Sequence, residues 1–535
     1  MKWDREKFLN SIGFLLLAAC FAYSLVKIAQ RRSAEQDKSV TTIRFAHWQL
    51  EAGTKAALDA VAAEYIKKHP KVKIDQILIP ERVFATWLTT RLVGGNPPDL
   101  VALGFGITDD RMARYFTPLS EEVVKPNPHN AGTALEDVPW RDTFIDGLAS
   151  APGLFNLFEY YGIPCSMVTT RLYYNAPLFE KVTGSKVPPA TYEELTEVFE
   201  AVRVYNEKGG NLVAIAGSKY NSPVLMNALF AAQTQKLNLE LDRRRVMRFA
   251  GAPYPAFFDG SFDLFSQAIR SALELSREIG KNMPQGFLSL AREDATFSFV
   301  QQRSLMIATG SWDVQSLRQE SSFEVAAIRF PLPSRQNPQY GAYTLGPASE
   351  AETGGAVNFG LTRDAPNPEA ALDFLKYLTS IEGNRIFSEK SNWLPSIVSV
   401  PVPEAIAPFA PVSEGYPSGF ILEWTGGPEV KRIYENAFHR LVRPDGGVDQ
   451  FLEYFEPRYA QAMVLDMELT IKNGLRTLSM QDTTWIALRA LEQGGDPRSG
   501  AKAASLQEVQ AIGENSYYSR RYDLDEFEKK RKTAK

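Results

Sequence analysis

Four aromatic residues stand at the edges of apolar runs: Trp48, Phe105, Tyr161 and Trp312. Acids and a cation accompany them along the chain, namely Glu51, Arg82, Asp109 and Asp313. An aromatic ring covers an apolar C–H face, while carboxylate, guanidinium and amide groups bond to hydroxyls. A neutral carbohydrate is the ligand with that pair of features. Trp48 lies in His47-Trp48-Gln49-Leu50-Glu51, directly after a strand-like run, and Phe105 lies in Gly104-Phe105-Gly106, directly after another. Trp312 follows Gly310-Ser311, and Gly354-Gly355 is either a turn or a place where a ligand nears the backbone. Every aromatic in this set competes with a place in the core, and Glu51 and Arg82 compete with plain solvation. Tyr173 and Tyr174 sit inside a strand-like run and are read as packing.

Catalytic scaffolds are missing from the sequence. There is no G-x-S-x-G elbow and no Walker A loop, and Gly104-Phe105-Gly106 lacks the third glycine of a dinucleotide fingerprint. The four histidines, His47, His69, His129 and His439, show no metal-ligand spacing. The pair Glu193-Glu194 belongs to a helix start. No cofactor or metal is expected, and binding without catalysis is the reading. A formal charge of −4 and a pI near 5.9 argue against nucleic acid, which demands a concentrated basic face. Arg243-Arg244-Arg245 and the Lys529 to Lys532 run are read as a solvated helix face and a tail.

The elements that must position these residues alternate strand and helix. Ile43-Arg44-Phe45-Ala46 reads as a strand; Ala57, Leu58, Val61, Ala62, Tyr65 and Ile66 recur at helical spacing until His69-Pro70. Val72 and Ile74 mark a second strand, a helix runs around Val83 to Leu92, and Leu100 to Leu103 reads as a buried parallel strand. This β-α-β-α-β order predicts an open parallel sheet, in which ligands bind beyond the carboxyl ends of strands. Thr191-Tyr192-Glu193-Glu194 fits a capping box before a helix with Leu195, Val198, Phe199, Val202 and Tyr205 on one face. Asn367 is a candidate cap for a helix opening at Pro368. From Pro428 the chain reads as helical, with Val430, Ile433, Tyr434, Ala437, Phe438 and Leu441 on one face, and after Gly494 as a polar, partly disordered tail.

With 535 residues, two or three domains are expected. Basic residues flank an apolar run from Phe8 to Val26, close to the ~20 residues that cross a bilayer. Leu17-Ala18-Ala19-Cys20 resembles a lipobox, with Cys20 lipidated, whereas the apolar stretch after Cys20 fits an uncleaved signal anchor. Both readings export the chain and tether it outside the cytoplasmic membrane.

Six ordered stretches resemble the maltose-binding-like extracellular solute-binding proteins of ATP-binding-cassette importers. They are Ile43 to Trp48; Tyr65 to Pro70; Asn96 to Val101; Gly162-Ile163-Pro164 with Arg171 to Asn175; Leu305 to Trp312 with Ile328 to Pro333; and Gly354-Gly355 through Asn392-Trp393-Leu394-Pro395. The sequence departs from the family where a glycine usually precedes the alanine-methionine pair, since Gln302-Arg303-Ser304-Leu305 stands there. It is also longer, around Gln235 to Phe262 and after Thr470.

The resemblance implies an α/β, two-lobed periplasmic-binding-protein-like fold of type II, with an N-terminal membrane segment and a helical C-terminal extension. Its expected parts are a signal segment (1–32), lobe 1 (41–162 and 334–393), lobe 2 (163–333 and 394–470) and the extension (471–535). It also implies hinge closure on a solute, a sugar being favoured, by a monomer that serves separate permease subunits. Trp312 and the residues after the first strand would face the ligand. A polyamine or peptide ligand, or a membrane-held sensor with a signalling partner, are the alternatives.

Overall fold

The computed structural model describes residues 40–50, 53–104, 107–157, 159–242, 253–351 and 354–533. The apolar run Phe8 to Val26 and Cys20 lie outside them. Among the described residues no helix is long and apolar enough to cross a membrane.

Two sheets organise the chain. The first has the order β2-β1-β3-β9-β4, with β1 Thr41–His47, β2 Val72–Leu78, β3 Leu100–Leu103, β4 Ile163–Met167 and β9 Gly355–Leu361. The second has the order β6-β7-β5-β8, with β5 Thr170–Asn175, β6 Val213–Ala216, β7 Ser304–Gly310 and β8 Val325–Ile328. As the β-α-β-α-β pattern predicts, β1 pairs parallel with both β2 and β3. All four residues of β3 are buried, which is why it reads as an uninterrupted apolar run.

The helices form where the periodicity places them. Thr54–Lys68 buries Ala57, Leu58, Val61, Ala62 and Tyr65. The capping box at Thr191 is complete: its hydroxyl accepts from Glu194 N at 3.3 Å, and the Glu194 carboxylate accepts from Thr191 N at 3.1 Å. Asn367 differs from expectation. Its side chain does not cap Pro368–Leu378 but donates to Thr42 O at 2.9 Å, fastening that helix to β1.

The lobe boundaries shift from those expected. Ile163–Met167 pairs with β9, so the first crossing falls after Met167 and not after Gly162. The segment after Ser334 stays with the second lobe: Tyr340 joins its core, and Gln235 Oε1 accepts from Leu345 N at 2.8 Å and Thr344 Oγ1 at 3.0 Å. Ile397 and Val400 still pack in the first core, whereas Ile406 and Phe409 pack on the second sheet, so the third crossing lies between Val400 and Ile406. Pairing and packing, invisible along the chain, set each boundary.

The departure from the family's glycine has a local consequence. Gln302 adopts φ +57°, the left-handed region, in the turn into β7. An L side chain is disfavoured there by about 1–2 kcal/mol. Gln302→Gly should therefore raise stability by about 1 kcal/mol in urea denaturation, with the fold unchanged.

The C-terminus is more ordered than its composition suggests. Pro428–Val442 buries the expected face, and Asp466 of the next helix accepts from Gly427, Glu429 and Val430 N at 2.8, 2.9 and 3.0 Å, capping it from outside. That next helix, Val448–Gln493, has 46 residues, and Pro497–Thr533 returns beside it, in place of a partly disordered tail. Its contacts with both lobes supply the burial that its polar composition lacks.

Candidate functional site

Strand directions decide where a cleft must lie. β3 is antiparallel to β9, and β9 to β4, so β4 ends on the same side as β1, β2 and β3. After two connecting residues β5 begins, and its start, Thr170, pairs with Gly310 at the end of β7. β6 runs parallel to β7. The carboxyl ends of both sheets therefore face each other across the crossovers, which is where an α/β protein binds ligand.

Arg171 gathers the three crossovers. Its side chain is 1% exposed. It donates to both Glu350 oxygens at 2.7 and 3.0 Å, before the second crossing, and to Pro408 O and Ala410 O at 2.9 and 3.1 Å, after the third. The first crossing is Arg171's own segment, and Thr169 Oγ1 adds a bond to Phe409 O at 2.7 Å. All five guanidinium donors point at fixed acceptors, which only an arginine provides in this plane.

On the first lobe, Trp48 follows β1 and Gly104 follows β3. The indole lies on Gly104 so closely that a Cβ there would sit 2.3 Å from Trp48 Cη2, and it meets Phe84 in an edge-type contact with centroids 4.9 Å apart. On the second lobe the arrangement repeats. Trp312 folds over Gly310, where a Cβ would lie 2.1 Å from Cζ3. The same ring packs against the core of the first lobe, so it bridges the cleft. Gln315, one turn on, touches Gly53 and accepts from Asn392 Nδ2 at 3.5 Å.

Asp313 stands beside Trp312. It accepts from Thr309 Oγ1 at 2.5 Å and pairs with Arg292, whose guanidinium covers the Tyr220 ring at 4.9 Å. Tyr220 and Arg292 were missed in the sequence. Tyr220 follows β6 as Trp312 follows β7, so the carboxyl-end rule applied to Val213–Ala216 would have found it. Arg292 opens the helix Arg292–Val300 and no motif marks it.

The other candidates divide. Arg82 is exposed in the first turn after β2, and Asp109 opens the helix after β3, both on the cleft side. Glu51 and Phe105 lie outside the described residues. His47 is fully buried, its ring stacked on Phe45 at 5.7 Å and edge-on to Phe359, and burial lowers its pKa to about 4. Gln49 is buried too. Tyr161 is a core residue and not a platform: it is 3% exposed, and burial pushes its hydroxyl up to about 12. Ser311 is buried at the hinge, donating from N to Thr169 O at 2.8 Å and accepting at Oγ from Thr169 N at 3.3 Å. Gly354 precedes β9, and Gly355 N donates to Ser150 Oγ at 3.0 Å, a turn-and-strand role.

The sequence profile of bacterial extracellular solute-binding proteins matches residues 117–408. The chain belongs to that family. A multiple sugar-binding protein of Streptococcus mutans is 19% identical over 387 residues, 71% of this chain and 80% of that protein. Among solved structures, a chitin oligosaccharide binding protein superposes with TM-score 0.52 at 18% identity, over 79% of this chain and 99% of that one. The GacH receptor of Streptomyces glaucescens, solved unliganded and with acarbose, gives 0.54 at 15% identity, over 79% and 98%. At these identities the likeness to the two structures is one of fold. This solute-binding protein is longer than either of them.

Proposed function

We propose that this solute-binding protein is the receptor of an ATP-binding-cassette importer, without catalytic activity, and that it captures a mono- or oligosaccharide between its lobes by hinge closure. One observation carries the reading: an indole lies at a strand's carboxyl end on each lobe, and Trp312 reaches across from the second to the first. Flat apolar rings on both walls suit the C–H faces of a sugar, and Asp313, Arg292 and Tyr220 offer polar groups for its hydroxyls. The sugar-binding name of the Streptococcus relative supports the same reading. Only the closed form joins both walls, so ligand raises its population. Export and tethering through the Phe8 to Val26 segment, by lipid or by anchor, would hold the receptor near its permease.

The test is a titration of the purified chain with maltotriose, raffinose and chito-oligosaccharides against putrescine and a short peptide, followed by tryptophan fluorescence and calorimetry. A sugar should bind and the others should not; binding of putrescine alone would end the proposal. Trp312→Ala should weaken the sugar about 30-fold, or about 2 kcal/mol, in a chain that circular dichroism shows is still folded.

A further inference from the structure

The C-terminal helix pair touches both lobes. The helix Val448–Gln493 is rooted in the second lobe, where Phe451, Phe455, Tyr459 and Met463 join the core. Its partner Pro497–Thr533 makes two separate attachments. Near its start, Ala503, Leu506 and Val509 are buried, and Val509 belongs to the core of the first lobe. There the helix packs against Asp109–Tyr115 and Leu154–Leu157, and Lys502 Nζ meets Asp364 at 3.0 Å. Near its end, Leu524 lies in the core of the second lobe. Phe527 packs there against Phe257 and Phe258 with centroids 5.3 and 5.4 Å apart.

Between Val509 and Leu524 the helix is unbroken, about 22 Å of rigid rod. It is stiffened further by its neighbour, through the Gln510 bond to Asp482 and the close approach of Gly513 to Leu478. A rod fixed at both ends holds its two attachment points at one separation. The three crossovers allow the lobes to rotate apart, but this rod does not lengthen. Hinge opening therefore requires one attachment to come off. The first-lobe end is the one free to leave, because the second-lobe end is continuous with the rooted helix pair and the aromatic cluster around Phe527.

We propose that the C-terminal helix pair is an interlobe strap, and that the lobes separate only when the segment from Lys502 to Val509 detaches from the first lobe. The strap fixes the resting separation of the lobes, and detachment sets the rate of solute access and release. That last consequence rests on the cleft being the solute site; the mechanical claim does not.

The test measures interlobe distance in the full chain without any solute. Nitroxides are attached at Lys71→Cys and Lys208→Cys, exposed positions on the first and second lobes, in a Cys20→Ser background; the remaining Cys165 is buried. Pulsed electron double resonance should give one narrow distance in the parent. Leu506→Asp with Val509→Asp should add a longer, broader component. A Gly-Ser-Gly-Ser insertion after Gly513, which keeps both attachments but cuts the rod, should do the same with a melting temperature near the parent's. A broad parental distribution, or an insertion variant that keeps the narrow parental distance, would overturn the strap. Failure of every sugar to bind would undo the cleft assignment and leave the distance result standing.

Discussion

Arg171→Met should lower the unfolding free energy by about 3–5 kcal/mol, a larger effect than any other single substitution considered for this chain. The guanidinium is 1% exposed, and its partner Glu350 is bonded through both oxygens. Removing the cation strands that carboxylate with Val412 N at 2.9 Å and the more distant Arg329 at 3.9 Å. It also leaves the carbonyls of Pro408 and Ala410 without their Arg171 donors, so three crossovers lose a common anchor together. The double variant Arg171→Met, Glu350→Leu should recover much of the loss, because replacing a buried pair by apolar groups is often close to neutral. Urea denaturation of the parent, the single and the double variant at pH 7 measures both effects. A single variant within about 1 kcal/mol of the parent would mean that the crossovers are held elsewhere.

His47 should make the fold acid-sensitive in a defined window. Its pKa is lowered to about 4 in the folded chain by burial, from 6.5 in the unfolded one. Between those values the unfolded chain binds a proton that the folded chain refuses, so stability falls as pH falls from 6.5 to about 4. Above 6.5 the contribution is constant, and below 4 both states are protonated and it changes no further. The depression corresponds to about 3 kcal/mol lost across the window. His47→Phe keeps an aromatic ring between Phe45 and Phe359 and removes the titration. Subtracting its pH profile of urea midpoints from the parent's should isolate this step, and superimposable profiles would contradict it.

Much of the secondary structure was legible because it depends on neighbours in sequence. The capping box at Thr191, the buried face of Thr54–Lys68 and the four apolar residues of β3 each follow from spacing alone. The same locality explains the errors. Asn367 has the right type for a cap, yet a carbonyl of β1, distant in sequence, claims its side chain. His47 and Tyr161 have the right types for a site, yet each is buried by strands or loops that sequence does not place. The polar composition of Pro497–Thr533 predicted disorder, and contacts with two lobes overrode it.

Trp48 and Trp312 fare differently, because their placement follows from a rule about strand ends and needs no knowledge of packing. What the residues beside them do is another matter: Asp313 bonds Thr309 and Arg292 first, and Arg292 meets the Tyr220 ring only because β6 lies next to β7. The sequence by itself determined the α/β alternation, the family and the two indoles at strand ends, since periodicity and motif order are local properties. The tertiary structure alone decided where the lobes divide, that Arg171 ties the three crossovers and that the terminal helix bridges both lobes. These depend on which distant segments share a sheet or a core, and burial free energy is settled only when those segments meet.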